Sequence, residues 1–381
     1  MTGIWNHECV DAAAAPLDAG LVELRRAIHL RPEVAGAERH TAALVADRLR
    51  AAGLEVRTGV GGHGVVGVVR GDLSGGRTIA YRADLDALAV EGGAAHICGH
   101  DLHTAIGVGV AEVLAGLRDR FAGRVVLLFQ PAEETLEGAR AMLDDGALDD
   151  CPPDEVYAVH CAPLPVGVLA AMPGTGHPGL DTCHFELRGP DAASRGRRLL
   201  DRVDAMTTVR RPATDAEFAE LAAVLQTPDG PLASYVVTGS HLRADSDPVT
   251  AEVWLRAWPE TRHPELRDEL RRLAAEADAG ITFPGPPFPA MICAPELTET
   301  AAGHLREDPA VEAVLTLHAA WPFSGEDFAL FLHRVPGSMF FLGVGDRGTP
   351  HALDFTPDER AVGVGVRAMT GLLLHRLAGG G

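Results

Sequence analysis

Apolar residues recur at helical spacing from Asp18 to Ala52, through LVELRRAIHL and HTAALVADRLRAAG, and Pro32 with Gly36 divides the run into two helices. The period then shortens. VVGVVRG at 65–71 and RTIAYRADLDAL at 77–88 read as strands, residues 102–121 as a helix, and RVVLLFQ as a continuous apolar strand covered on both faces. A helix over EETLEGARAMLDDG and a strand over EVYAVHCAP follow. This alternation predicts an α/β domain with a mixed, mostly parallel sheet flanked by helices. Around Thr182 the pattern changes to strand, helix (about 191–205), two strands, a helix at HPELRDELRRLAAEADAG and a last strand at ITFPG. That is the order of a small α+β layer, and it places an inserted domain at 183–291. Beyond PGPPFPAM come longer helices, one strong strand at 338–345 and a closing helix from about Asp358. Residues 1–182 and 292–381 are therefore expected to form one discontinuous domain.

Composition narrows the function classes. The chain has 381 residues, 46% of them hydrophobic, which suits a compact enzyme-sized protein and argues against disorder. Its 53 acidic and 33 basic residues give a net charge of −20, which disfavours nucleic acid and anionic membrane surfaces and favours a small-molecule partner. No apolar run approaches the ~18 residues of a spanning helix. The opening MTGIWNHECVDAAAAPLDAG lacks the basic-then-apolar pattern of a secretory leader, so the cytoplasm is the expected location. Six scattered cysteines without framework spacing read as free thiols, any special one being a ligand or a nucleophile.

Four of the expected strands run directly into metal-competent side chains. TIAYR leads to Asp84 and Asp86, VVLLFQ through Pro131 to Glu133 and Glu134, VYAV to His160, and MFFLGVG, six residues on, to His351. The segment HICGHDLHT adds Cys98, His100, Asp101 and His103 just before a helix. Taken singly, each has a packing explanation. Glu133 and Glu134 suit the first turn of a helix, where acids contribute ~0.3–1 kcal/mol. Asp84 and Asp86 suit solvated strand ends beside Arg82, His160 a core or surface position, and His103 a helix surface. Jointly they point elsewhere, because in open α/β sheets the carboxyl ends of the strands share one crevice.

One thiol, three imidazoles and a carboxylate suit Mn²⁺, Zn²⁺, Co²⁺ or Ni²⁺ and not calcium or magnesium. Five donors exceed a closed tetrahedral site, but a pair of ions bridged by Cys98 uses them all. Adjacent glutamates then suggest that one binds metal while the other takes a proton, which is metal-assisted hydrolysis.

In YRADLDAL, HICGHDLHTA, VVLLFQPAEE, the strand ending at His160 before PLPVG, SGEDFALFLHRVPG and PHALDF, the chain resembles a di-metal amidohydrolase and peptidase family. That family includes hippurate hydrolase, N-acyl-amino-acid deacylases and auxin-conjugate hydrolases. The resemblance spans nearly the whole catalytic part, in family order. It implies that Cys98, His100, Glu134, His160 and His351 bind two divalent transition metals, that Glu133 is the general base and that Asp86 orients a ligand. It also implies an inserted lid that forms a homodimer, and Arg256 as the residue that binds a substrate carboxylate. The activity it implies is cleavage of the amide of an N-acyl amino acid or a related small metabolite.

The sequence departs from the family at three places. Only EGGAA separates DALAV from HICGHD, where the family carries a longer loop. In the lid, GPDAAS puts Ala193 near the place of a histidine that holds the reacting carbonyl, and DSDP puts Asp245 in place of an asparagine. His177, His184 and His241 are the candidate replacements. Two alternatives come with these departures: a silenced or non-hydrolytic metal-binding relative, and a small-peptide dipeptidase. A cysteine hydrolase with Cys98 as nucleophile and His100 or His160 as base is a further reading, which leaves Glu134 and His351 without a role.

Overall fold

The computed structural model describes residues 5–345 and 347–379, which fall into two compact units. One comprises residues up to Pro173, Cys293–Thr316 and Leu330 onward; the other comprises Gly174–Ile292 and Leu317–Ala329. The strand Gly179–Leu187 crosses the boundary expected after residue 182, since the second sheet needs the whole strand. Residues 317–329 also join the second unit, where Ala319 and Ala320 pack with Leu225, Tyr235 and Val237.

The first unit is built on an eight-stranded mixed sheet. Its order is Glu55–Val60, Gly64–Arg70, Ala122–Gln130, Leu73–Asp84, Glu155–Ala162, Gly337–Gly343, Val168–Ala171 and Ala313–Thr316. The four strands in the middle, from Ala122–Gln130 to Gly337–Gly343, are mutually parallel. Their ends are nearly level: Asp84 pairs with Gln130, and Gly343 with Ala162. The last six residues of Ala122–Gln130 are buried, as a strand covered on both faces requires. The helix His100–Gly116 is apolar almost all round and buried along nearly its whole length, against the sheet and the long helix Arg360–Leu377.

The second unit carries a four-stranded antiparallel sheet in the order Tyr235–Arg243, Val249–Trp258, Gly179–Leu187 and Gly280–Thr282. Along Val249–Trp258 the odd residues Val249, Ala251, Val253, Leu255 and Ala257 are buried, the alternation of a sheet covered on one face. Their cover is supplied by Leu199, Leu200 and Val203 of the helix Ala192–Asp204, and by Leu266, Leu270 and Leu273 of the helix His263–Glu276. An additional helix, Asp215–Leu225, follows a capping box in which Thr214 and Glu217 satisfy each other's backbone N–H groups.

The helix expected over EETLEGARAMLDDG is shorter than its pattern suggests and runs only over Gly138–Asp144. Ala132 (φ 51°) and Leu136 (φ 58°) are left-handed, so residues 131–137 turn rather than wind. Among the described residues, no helix is long and apolar enough to cross a membrane.

Candidate metal centre

The four parallel strands discharge their chains at one edge of the sheet, and the side chains beyond their ends meet there. Ligand atoms of Cys98, His100 and His160 lie within 4.8 Å of one another, as do those of Cys98, Glu134 and His351, and those of His100, Glu133 and Glu134. Cys98 Sγ is 3.5 Å from His160 Nε2 and 3.2 Å from His351 Nε2. Glu134 Oε1 is 3.6 Å from His351 Nε2 and 3.7 Å from His100 Nε2, which in turn is 3.7 Å from Glu133 Oε2. His351 reaches the cluster from a left-handed backbone (φ 73°) pinned by its N–H to the carbonyl of Ile97 at 2.7 Å.

The helix that presents His100 begins immediately after Gly99, which has φ 94°. A Cβ at Gly99 would sit 2.8 Å from Cys161 Sγ, so glycine is required by conformation and by space. Asp86 is fully buried and acts in two directions. Its Oδ1 and carbonyl lie 3.2 and 3.0 Å from His100 Nδ1, and its Oδ2 accepts the Glu134 N–H at 3.0 Å. That leaves His100 Nε2 and Glu134 Oε1 facing the interior of the cluster, both buried and without a hydrogen-bond partner. Buried polar atoms without partners are costly, and a shared cation is what their spacing fits.

Charge argues the same way. Burial disfavours the His100 cation, yet Asp84, Asp86 and Glu134 outweigh it and push the imidazole up to about 10. Desolvation lifts Glu134 to about 7 despite the opposing pull of His100. Burial, then the Glu134 and Glu133 charges, drive the Cys98 thiol up, while burial and the charge of His103 drive His160 down. The acids that outweigh burial at His100 make its side of the pocket negative, which suits a cation. The donor set, one sulfur with three imidazoles and a carboxylate, fits transition-metal ions.

Several of the packing explanations fall away. Asp84 and Asp86 are not solvated strand ends but completely buried. Asp84 Oδ2 bonds to the Arg82 guanidinium at 2.6 Å, and against the penalty of burial His100, His103 and Arg82 hold its carboxyl well below the usual range. His103 is not on a helix surface. It is buried, with Nδ1 2.7 Å from Asp84 Oδ1 and Nε2 accepting the Cys161 N–H at 2.8 Å, so it fixes the strand end that carries His160. Glu133 and Glu134 precede the next helix by several residues and owe nothing to its first turn. Asp101 lies outside the cluster, bound to Arg25 at 2.8 Å and His29 at 2.7 Å. EGGAA supplies the turn, at Glu91 and Gly92, and the second strand, Gly93–Ala95, of a small hairpin whose first strand is Leu88–Val90.

Glu38 escaped the sequence reading. It is fully buried, and its Oε1 accepts the N–H groups of Gly36 at 2.9 Å and of left-handed Ala132 at 2.8 Å, which shapes the turn into Glu133. Its only sequence signal is an acid ahead of a helix, which reads as ordinary end polarity.

Arg256 belongs to the second unit, half-buried beside Gly325. In that unit His177 is buried with its Nδ1 3.0 Å from Ser324 Oγ, whereas His184 and His241 are exposed. Ala193 packs against the core of the second unit within the helix Ala192–Asp204, and Asp245 is exposed.

Comparison with known proteins gives this arrangement a context. The model for "Peptidase family M20/M25/M40" matches residues 80–375. The chain belongs to this peptidase family. A Synechocystis sp. protein named "Probable hydrolase" is 31% identical over 91% of this chain and 93% of its own length. N-acetyldiaminopimelate deacetylase of Lacticaseibacillus casei is 29% identical over 94% of this chain and 98% of its own. The crystal structure of a Bacillus subtilis dinuclear metal binding peptidase of the same family has a TM-score of 0.76, 24% identity and coverage of 95% of this chain and 99% of that one. The M20 family member described here is therefore a hydrolase of that family and has its fold.

Proposed function

We propose that this chain is a metal-dependent amidohydrolase that removes the acyl group from an N-acyl amino acid or a related small metabolite. The observation that carries the reading is the pair of donor triads sharing Cys98, with His100 and His160 on one side and Glu134 and His351 on the other. Two transition-metal ions held there would polarise an amide carbonyl and bring the pKa of water toward ~7. Glu133, nearly buried at the cluster edge, would hold the proton given up by the attacking water and pass it to the departing amine. Asp86 fixes the tautomer and direction of His100 and, through the Glu134 N–H, the position of the carboxylate. The deacetylase relative supports acyl-amide chemistry in particular. We assign Arg256 to the substrate carboxylate, the cytoplasm as location, and a homodimer through the second unit as assembly.

The cysteine-hydrolase reading fits less well, since burial and neighbouring acids push the Cys98 thiol away from the nucleophilic thiolate. The silenced-relative reading keeps one specific support: Ala193 has no donor to offer a reacting carbonyl, and removing such a donor costs ~10²–10³ in turnover.

Amine release from a panel of N-acetyl, N-benzoyl and N-fatty-acyl amino acids, with Mn²⁺, Zn²⁺ or Co²⁺ and with chelator, tests the proposal. Release that stops with chelator is expected. Release that survives complete metal removal contradicts it, and no release from protein that binds two metals favours the silenced relative. For Arg256→Ala, the Michaelis constant should rise for acyl amino acids and stay unchanged for their amides; equal rises would remove the carboxylate role.

A further inference from the structure

A second cluster of histidine and carboxylate donors lies in the first unit, on elements that the strand-end cluster does not use. His7 opens the first helix, His7–Ala14; His304 lies in the last turn of the helix Pro295–Arg306; Asp308 follows four residues later. One ligand atom from each of the three lies within 4.8 Å of the others. Asp308 is 4% exposed, and its Oδ1 is engaged by the Ala310 N–H at 2.8 Å. Its Oδ2 is buried without a hydrogen-bond partner, and so is His304 Nε2. His7 Nδ1 comes within 3.2 Å of Asp308 Oδ2 but lacks the alignment of a hydrogen bond.

The space these atoms face is kept open by a glycine. Gly371 lies within the helix Arg360–Leu377, where alanine would be the better helix former by ~1 kcal/mol. A Cβ there would lie 2.9 Å from Asp308 Oδ2 and 3.7 Å from His304 Nε2, so any side chain would fill the space the donors converge on. His375, one turn further along the same helix, stacks on the His304 ring with centroids 4.2 Å apart and fixes its orientation. A cavity of about 1010 Å³ bordered by His7 and Asp308 gives an ion a way in.

We infer that His7, His304 and Asp308 form a further divalent-metal site of the zinc class, separate from the strand-end cluster. Two imidazoles and one carboxylate are a zinc donor set, with a fourth position open to water. The function follows from the connectivity. The ion ties the N-terminal helix to a segment some three hundred residues away, a cross-link that stabilises only the folded chain.

The test uses the full chain with zinc alone, loaded, desalted and counted. Wild type is expected to retain one equivalent more than His304→Gln and Asp308→Asn, and equal counts would overturn the site. A second readout needs no variant: zinc is expected to slow amide hydrogen exchange across residues 7–14 of the wild-type chain at least tenfold. Unchanged exchange there would overturn the proposal as well.

Discussion

In the eight-stranded sheet the four central strands are covered on both faces, run the same way and stop level with one another. In the four-stranded sheet neighbouring strands run in opposite directions and bury only alternate residues. That difference in direction decides where chemistry can gather. Parallel neighbours deliver all their carboxyl ends to one edge, so Asp86, Glu133, Glu134, His160 and His351 meet although up to 265 positions separate them. Antiparallel neighbours send successive ends to opposite edges. Polar residues of the second unit accordingly pair locally or on its surface, as in Arg272 with Glu269 or Arg202 with Glu276. Exposed pairs of that kind are screened by solvent and contribute little.

The contrast predicts that the two regions fail differently. The largest effect is expected from Glu133→Gln, which should lower turnover by ~10²–10⁴ while metal analysis finds wild-type content. Loss of the metals would mean that Glu133 is a ligand and would erase the division of labour between adjacent glutamates. Leu255→Ala should cost ~2–5 kcal/mol in denaturant unfolding of the second unit, because Leu255 lies at the centre of its buried face. Metal content should not change; if it fell, the two regions would be energetically one. Asp86→Asn should weaken metal binding by ~10–100-fold in a chelator competition, since Asp86 orients donors and is not itself counted among them. The smallest effect belongs to Thr214→Ala, which removes a capping box from the exposed helix Asp215–Leu225 at a cost of ~1 kcal/mol, with no change in metal affinity.

How much of this was legible in the sequence depended on distance along the chain. The five strands from Gly64–Arg70 across to Gly337–Gly343 were plain from their apolar runs, and the acids and histidines just past their ends from the residues themselves, whereas the outer strands Glu55–Val60, Val168–Ala171 and Ala313–Thr316 went unread. Asp84 with His103, and Glu38 with Ala132, were not, because each pair is joined only by the fold, across 19 and 94 positions. A lone histidine in a helix and a lone acid before one look like ordinary polarity until their partners are seen. Two errors had local causes. The helix after Glu134 starts late because residues 132 and 136 take left-handed conformations that apolar spacing does not encode. The helix Asp215–Leu225 went unread although its T-x-x-E box was present, since its apolar residues lack a clean stripe.

In the proposed function Cys98, His100, Glu134, His160 and His351 would together hold two metal ions at the carboxyl ends of the parallel strands. Anomalous diffraction from crystals grown with Mn²⁺ or Zn²⁺ tests it most directly. Two peaks are expected at the strand-end edge. One should lie among Cys98, His100 and His160, and the other among Cys98, Glu134 and His351. A single peak that leaves Cys98 uncoordinated, or no peak at that edge from metal-saturated protein, would contradict it.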